Sequence, residues 1–260
     1  MRENNVKKIV AAGGNVVNGW LGVPSGVTAE AMAHAGWDSL CIDMQHGLVD
    51  YQASVSMLQA ISTTNVTPLV RVPWNEPGII MKSLDAGAYG IICPMINSKE
   101  ECEAFVGATR YAPQGYRSWG PVRGMIYGGP DYAKEANTTL LAIAMIETAE
   151  AVANVDAIMS VKGLDGVYVG PSDMGISMGF GPGFDPTEPK LIENFKKVAE
   201  AAKRHKIFAG IHCGSAAYAI KMIELGYQFV TILGETRLMA WAAKNAVTAV
   251  KAGKPNPNAP

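Results

Sequence analysis

HAGWDSLCID, residues 34–43, is the stretch that decides the architecture. A glycine closes a helix-like segment, a short turn follows, and an apolar run then ends in an aspartate. Glycine suits the position just past a helix because left-handed backbone costs it little. An unbroken apolar run of this length reads as a strand buried on both faces. The same succession recurs in DAGAYGIICP (85–94), VKGLDGVYVG (161–170) and ELGYQFVTIL (224–233), with Gly36, Gly87, Gly163 and Gly226 in matching places.

The intervals fill in the same way. VVNGWLGV (16–23) reads as a first strand, followed by a helix with Thr28 as its N-cap. TPLVRVP (67–73), LLAIAMIE (140–147) and IFAGIHC (207–213) read as further strands, and residues 98–110 and 188–206 as helices. Eight strand–helix units of roughly 30 residues predict an α/β fold, a single-domain (β/α)₈ TIM barrel over residues 1–253. An open doubly wound sheet is the alternative, but no G-x-G-x-x-G opens the chain. Residues 254–260 read as a disordered tail. One connection, residues 111–139, is long; it is either a surface insertion or a substrate-covering segment, with Arg117 and Arg123 available to an anionic group.

Composition narrows the function. A formal net charge of −1 gives no support to a sequence-blind nucleic-acid or anionic-membrane binder. No apolar run approaches a membrane span. The four cysteines are scattered without a C-x-x-C pair, which fits a reduced cytoplasmic setting.

Active sites of such barrels form at the C-terminal ends of the strands. Asp43, Gln45 and His46 stand after the second, Arg71 at the end of the third, and Glu147 at the fifth. Asp173 follows the sixth, and His212 with Cys213 ends the seventh. Glu147 and Asp173 fall on neighbouring strands, so they are expected to share a hard divalent cation such as Mg²⁺ or Mn²⁺. Zinc has little support, because His46 and His212 lie on distant strands with no H-E-x-x-H. Every lysine falls in a helix, loop or terminus, which argues against Schiff-base chemistry.

In order and spacing, IDMQHG (42–47), PLVRVPWNEP (68–77), LDAGAYGIICPMI (84–96), TRYAPQGYRSWG (109–120), IETAEAVAN (146–154) and GLDGVYVGPSDMGISMG (163–179) resemble the class II pyruvate aldolases of the HpcH/HpaI type. The resemblance covers about residues 8–250. It implies Glu147 and Asp173 as metal ligands for Mg²⁺ or Mn²⁺, with Co²⁺ admissible, and no organic cofactor. It implies Arg71 at the pyruvate oxygen, His46 as catalytic base and Asp85 as the acid partnering that histidine. The backbone N–H groups of Ser172 and Asp173 would hold the carboxylate. Trp20 and His212 are expected to face the substrate, His212 either admitting a hydroxylated donor or acceptor or serving as a hydrogen-bonded wall residue. The implied partners are a small 2-oxo acid and an aldehyde. The implied assembly is a homo-hexamer, a trimer of dimers exchanging the last helix, here residues 236–253. The chain departs from the family pattern at Gln45, where an acid is common, at Met145, where glutamine is common, and at His212, where an apolar residue is common.

Three rivals remain at this level: a citrate-lyase-type enzyme cleaving CoA thioesters, a noncatalytic keto-acid-binding barrel, and a sugar-phosphate isomerase. The first lacks an obvious basic track. The second has no need of a proton acceptor, and IHCGSA and ILGETR supply only a weak phosphate cradle for the third.

Overall fold

The computed structural model describes residues 1–253; the tail expected to be disordered lies outside the described residues. Eight parallel strands close into a barrel in sequence order. They are β1 (Val16–Leu21), β2 (Ser39–Asp43), β3 (Thr67–Arg71), β4 (Gly90–Cys93), β5 (Leu141–Ile146), β6 (Gly166–Val169), β7 (Phe208–Cys213) and β8 (Phe229–Ile232). The expected (β/α)₈ barrel is therefore present. Gly36, Gly87, Gly163 and Gly226 all adopt positive φ, between 93° and 107°, just where each helix must turn into the next strand.

Side chains alternate along each strand, and this splits the core in two. Cys41, Leu69, Leu141, Ile143 and Met145 point into the barrel, whereas Leu40, Ile42, Val70, Ala142 and Ala144 pack outward against the helices. The same period carried two residues beyond the inner core turns Asp43, Arg71 and Glu147 toward the mouth. Site and core are thus written in one alternation.

Two expectations need correction, and one element was not foreseen. The first barrel helix is Gly26–Ala33 and its cap is Ser25, whose Oγ accepts the Thr28 N–H at 3.3 Å. Ser25 has the extended backbone a cap needs, while Thr28 already lies inside the helix. Residues 111–139 hold two short helices, Val122–Gly128 and Tyr132–Thr139, and neither of the two arginines faces the barrel mouth. Arg117 is buried, pairing with Asp85 and bonded to the Tyr132 hydroxyl at 2.9 Å. Arg123 donates to the carbonyls of Ala86 and Leu58. Finally, an unforeseen helix, Asn5–Ala11, puts Val6 into the inner core beside Val16.

The C-terminal helix, Glu235–Lys251, buries only Glu235. Trp241 and Val250 on it are 61% and 82% exposed. Among the described residues no helix is long and apolar enough to cross a membrane.

Candidate active site

A cavity of about 540 Å³ opens at the C-terminal ends of the strands. Arg71 and Asp43 are register partners on β3 and β2, so their side chains meet laterally on the inner face. Arg71 donates through Nε to Asp43 Oδ1 at 2.9 Å and through Nη2 to Oδ2 at 2.7 Å. Trp20 Nε1 also donates to Oδ2, at 3.1 Å, and the guanidinium lies 4.8 Å from the Trp20 ring centroid. Burial pushes the Asp43 carboxyl upward, but the bonds and charge of Arg71 outweigh it and hold it below the usual range. Arg71 is likewise kept charged against burial by Asp43. The bidentate fork fixes where the remaining guanidinium N–H groups point.

Asp43 also shapes the following turn. Its Oδ1 accepts the backbone N–H groups of Gln45 and His46 at 3.1 and 3.2 Å. A Cβ on Gly47 would collide with the Asp43 carbonyl oxygen, so glycine is required for the chain to fold back there. The turn leaves His46 exposed at the rim of the cavity, its ring without a hydrogen-bond partner among the described residues.

Glu147 follows β5 and is only 2% exposed. Its Oε1 accepts the Met95 N–H at 2.8 Å, which Met95 presents from left-handed backbone at φ 55°. No protein group among the described residues bonds Oε2. Burial is the main reason its carboxyl is pushed up to about 7; the nearby Asp173 charge adds to this, and the Met95 bond and Arg71 oppose it. Asp173 lies in the first turn of the helix Pro171–Ser177 after β6, half-buried. As at every helix start, the Ser172 and Asp173 N–H groups have no intrahelical acceptor.

Two unpaired carboxylates on adjoining strands, one costly to keep charged, form a donor set that fits a divalent cation. Among the described residues no cluster of three or more His, Cys, Asp or Glu could hold a metal. The remaining positions would fall to water and substrate oxygens, as hard cations accept. No lysine among the described residues lines the cavity.

Trp20 and His212 line it. Asp85 does not. It ends the helix Pro77–Asp85, which runs from the mouth back toward the N-terminal end of β4, and its carboxylate meets Arg117 Nη2 at 2.7 Å. Within one chain Asp85 and His46 thus stand toward opposite ends of the barrel. Sequence reasoning missed the Asp43–Arg71 clamp, and it missed Tyr168, Phe184 and Arg237 as wall residues. An aspartate two residues past the inward Cys41 was the available signal for the first.

A closed barrel with a fixed guanidinium, an accessible imidazole and two unpaired carboxylates at its mouth has the equipment of a carbon–carbon lyase. The relatives agree. Residues 19–239 match the model of the HpcH/HpaI aldolase/citrate lyase family, and the chain belongs to that family. It is 39% identical to a hydroxypyruvate/pyruvate aldolase of Rhizorhabdus wittichii, over 96% of this chain and 99% of that one. It is 37% identical to a 4-hydroxy-2-oxo-heptane-1,7-dioate aldolase of Salmonella arizonae, over 93% and 92%. Among solved structures, an HpcH/HpaI aldolase/citrate lyase family protein from Burkholderia cenocepacia superposes with a TM-score of 0.88 at 31% identity, covering 95% of this chain and 99% of that one. The protein is an aldolase-type lyase.

Proposed function

We propose that residues 1–253 form one catalytic domain that makes and cleaves 4-hydroxy-2-oxo acids, adding the enolate of pyruvate or hydroxypyruvate to an aldehyde. The observation that carries this reading is the pairing of a locked guanidinium with two unpaired carboxylates in one cavity. Glu147 and Asp173 would hold Mg²⁺ or Mn²⁺, with Co²⁺ admissible. The cation, when bound, supplies a Lewis acid for the keto acid. The chain's own residues do the rest. Ser172 and Asp173 N–H groups orient the carboxylate of the 2-oxo acid. Arg71 places a fixed positive charge where the keto oxygen becomes an enolate, and Asp43 keeps it there without reorganisation. His46 takes the proton from the carbon next to the keto group and returns it to the oxygen of the incoming aldehyde. Asp85, paired with Arg117 in its own chain, would serve His46 only if a second subunit brought it there.

Deuterium exchange into the methyl group of pyruvate, followed by NMR, tests the enolate step without an aldehyde. Exchange should need a divalent cation, stop with EDTA, and slow by about 10³-fold in His46→Ala with cation binding retained. Exchange that ignores EDTA would rule out Glu147 and Asp173 as ligands of a catalytic cation. Protein that is folded and loaded with cation yet exchanges neither pyruvate nor hydroxypyruvate would favour a CoA-thioester lyase.

The reading extends to a cytoplasmic homo-oligomer, a hexamer built from dimers. The exposed apolar residues of Glu235–Lys251 support it, since a surface helix this apolar lacks its partner. Light scattering of the full chain reads the mass directly, and a monomer at micromolar concentration would refute it.

A further inference from the structure

Inside the barrel, below the cavity, runs a line of polar groups that the proposed reaction leaves unused. The Ser39 hydroxyl donates to Asn18 Oδ1 at 2.7 Å, and Asn18 Nδ2 donates to Thr231 Oγ1 at 2.9 Å. Ser39, Asn18 and Thr231 are fully buried. Thr231, its oxygen already accepting, has its own proton free toward the Tyr168 phenol oxygen, where it opposes the upward push of burial on that phenol. Tyr168 in turn lies 3.0 Å from His212 Nδ1. Ser39, Asn18, Thr231, Tyr168 and His212 come from β2, β1, β8, β6 and β7, so the line crosses the barrel from wall to wall.

Its polarity follows from counting donors. With each proton directed toward β7, each hydroxyl in the line has an acceptor, and the Tyr168 hydroxyl donates to His212 Nδ1. Reversed, the Ser39 hydroxyl proton would be sealed in the barrel with no acceptor among the described residues, a cost of ~1–3 kcal/mol. An accepting Nδ1 puts the ring proton on Nε2. Nε2 has no partner among the described residues, yet it is not sealed, and His212 lines the cavity. The ring stands among aromatic faces, edge-on to Trp20 at 5.2 Å and tilted against Phe184 at 5.5 Å. Burial, helped by the charges of Arg71 and Arg237, lowers its pKa to about 4, so the ring stays neutral at physiological pH.

We propose that His212 is a specificity-determining residue whose Nε2–H donates a hydrogen bond to a hydroxyl oxygen of the substrate, selecting hydroxylated reactants over their unsubstituted counterparts. Ser39, Asn18, Thr231 and Tyr168 act as positioning residues that fix its tautomer. The inference rests on the aldolase reading above. The hydroxyl belongs either to the 2-oxo acid donor or to the aldehyde acceptor. Both present the same oxygen chemistry in a cavity otherwise walled there by aromatic carbon.

Two measurements test this. In the first, kcat/KM is compared for hydroxypyruvate against pyruvate with one fixed aldehyde, and for glycolaldehyde against acetaldehyde with pyruvate fixed. His212→Phe should cut the preference for the hydroxylated partner by about tenfold in one arm, and that arm identifies the source of the hydroxyl. His212→Gln, which keeps an N–H donor, should recover part of it. Equal losses in both members of both pairs would make His212 merely structural and overturn the proposal. Absence of turnover with every pair would instead overturn the aldolase reading itself.

The second measurement is independent of turnover. Nitrogen NMR of ¹⁵N-histidine-labelled protein must resolve only four imidazoles, and His212→Phe assigns one of them. A neutral ring protonated on Nε2 at pH 7 is expected. Protonation on Nδ1, or an imidazolium, would overturn the proposal whatever the kinetics.

Discussion

Glu147→Gln is expected to make the cation-free protein more stable at pH 8 while lowering turnover on the order of 10⁴-fold, about 5–6 kcal/mol in the barrier. The two effects share one cause. Glu147 is nearly sealed from water and its carboxyl is pushed from 4.5 to about 7. A carboxyl whose folded value is raised contributes no penalty below the unfolded value, because it is neutral in both states. As pH climbs from 4.5 to about 7 the unfolded chain loses its proton first, and folding becomes less favourable by about 3 kcal/mol, a cost that stays constant above 7. Glutamine has nearly the same shape and its Oε1 still accepts the Met95 N–H, yet it carries no charge to bury. Urea midpoints in EDTA should therefore coincide for wild type and variant near pH 4.5 and separate in the variant's favour by pH 8. Mg²⁺ or Mn²⁺ should close the gap by stabilising wild type alone, through binding to the native state. A variant less stable than wild type at pH 8 without cation would show that the carboxylate is satisfied within the protein and has no need of one.

That cost explains why some of the site was legible in the sequence and some was not. Glu147 and Asp173 announce themselves because acids at the ends of buried apolar runs have little structural use. Arg71 and His212 follow from the same alternation that fills the barrel, since each is the last inward position of its strand. Asp85 carries no such mark. The segment LDAG says that a helix ends there, but what its carboxylate faces depends on Arg117, 32 residues along. Arg117 itself sits in a stretch of Gly, Pro and Tyr that reads as solvent-facing. It is buried because Asp85 takes its charge and Tyr111 offers a ring face at 4.5 Å. The helix Asn5–Ala11 was hidden for another reason: with Val6 as its one fully buried anchor, it has too little periodicity to see. Buried strands are local facts, whereas ion pairs between distant segments are not.

The Asp43–Arg71 pair yields the second large effect. Asp43→Asn should cost about 3–5 kcal/mol of stability, because Arg71 is left buried with an uncompensated charge. It should also cost about 10²–10³-fold in kcat/KM, since the guanidinium loses the fork that holds it at the enolate oxygen. Asparagine can still accept the backbone N–H groups of Gln45 and His46, so the turn carrying His46 survives and the loss falls on Arg71. The pH dependence has a definite sign. Asp43 is held below its ordinary value, so its contribution is present above the unfolded value and fades as pH falls through the lower folded one. Wild type and variant should then converge in strong acid. The pair Asp43→Asn with Arg71→Met separates the two roles. Removing both charges should restore most of the stability, because a buried ion pair is replaceable by apolar contacts. It should restore none of the activity, because no positive charge remains where the enolate forms. If the double variant stayed as unstable as Asp43→Asn alone, the destabilisation would come from lost turn geometry. If it turned over as well as wild type, Arg71 would have no part in the chemistry.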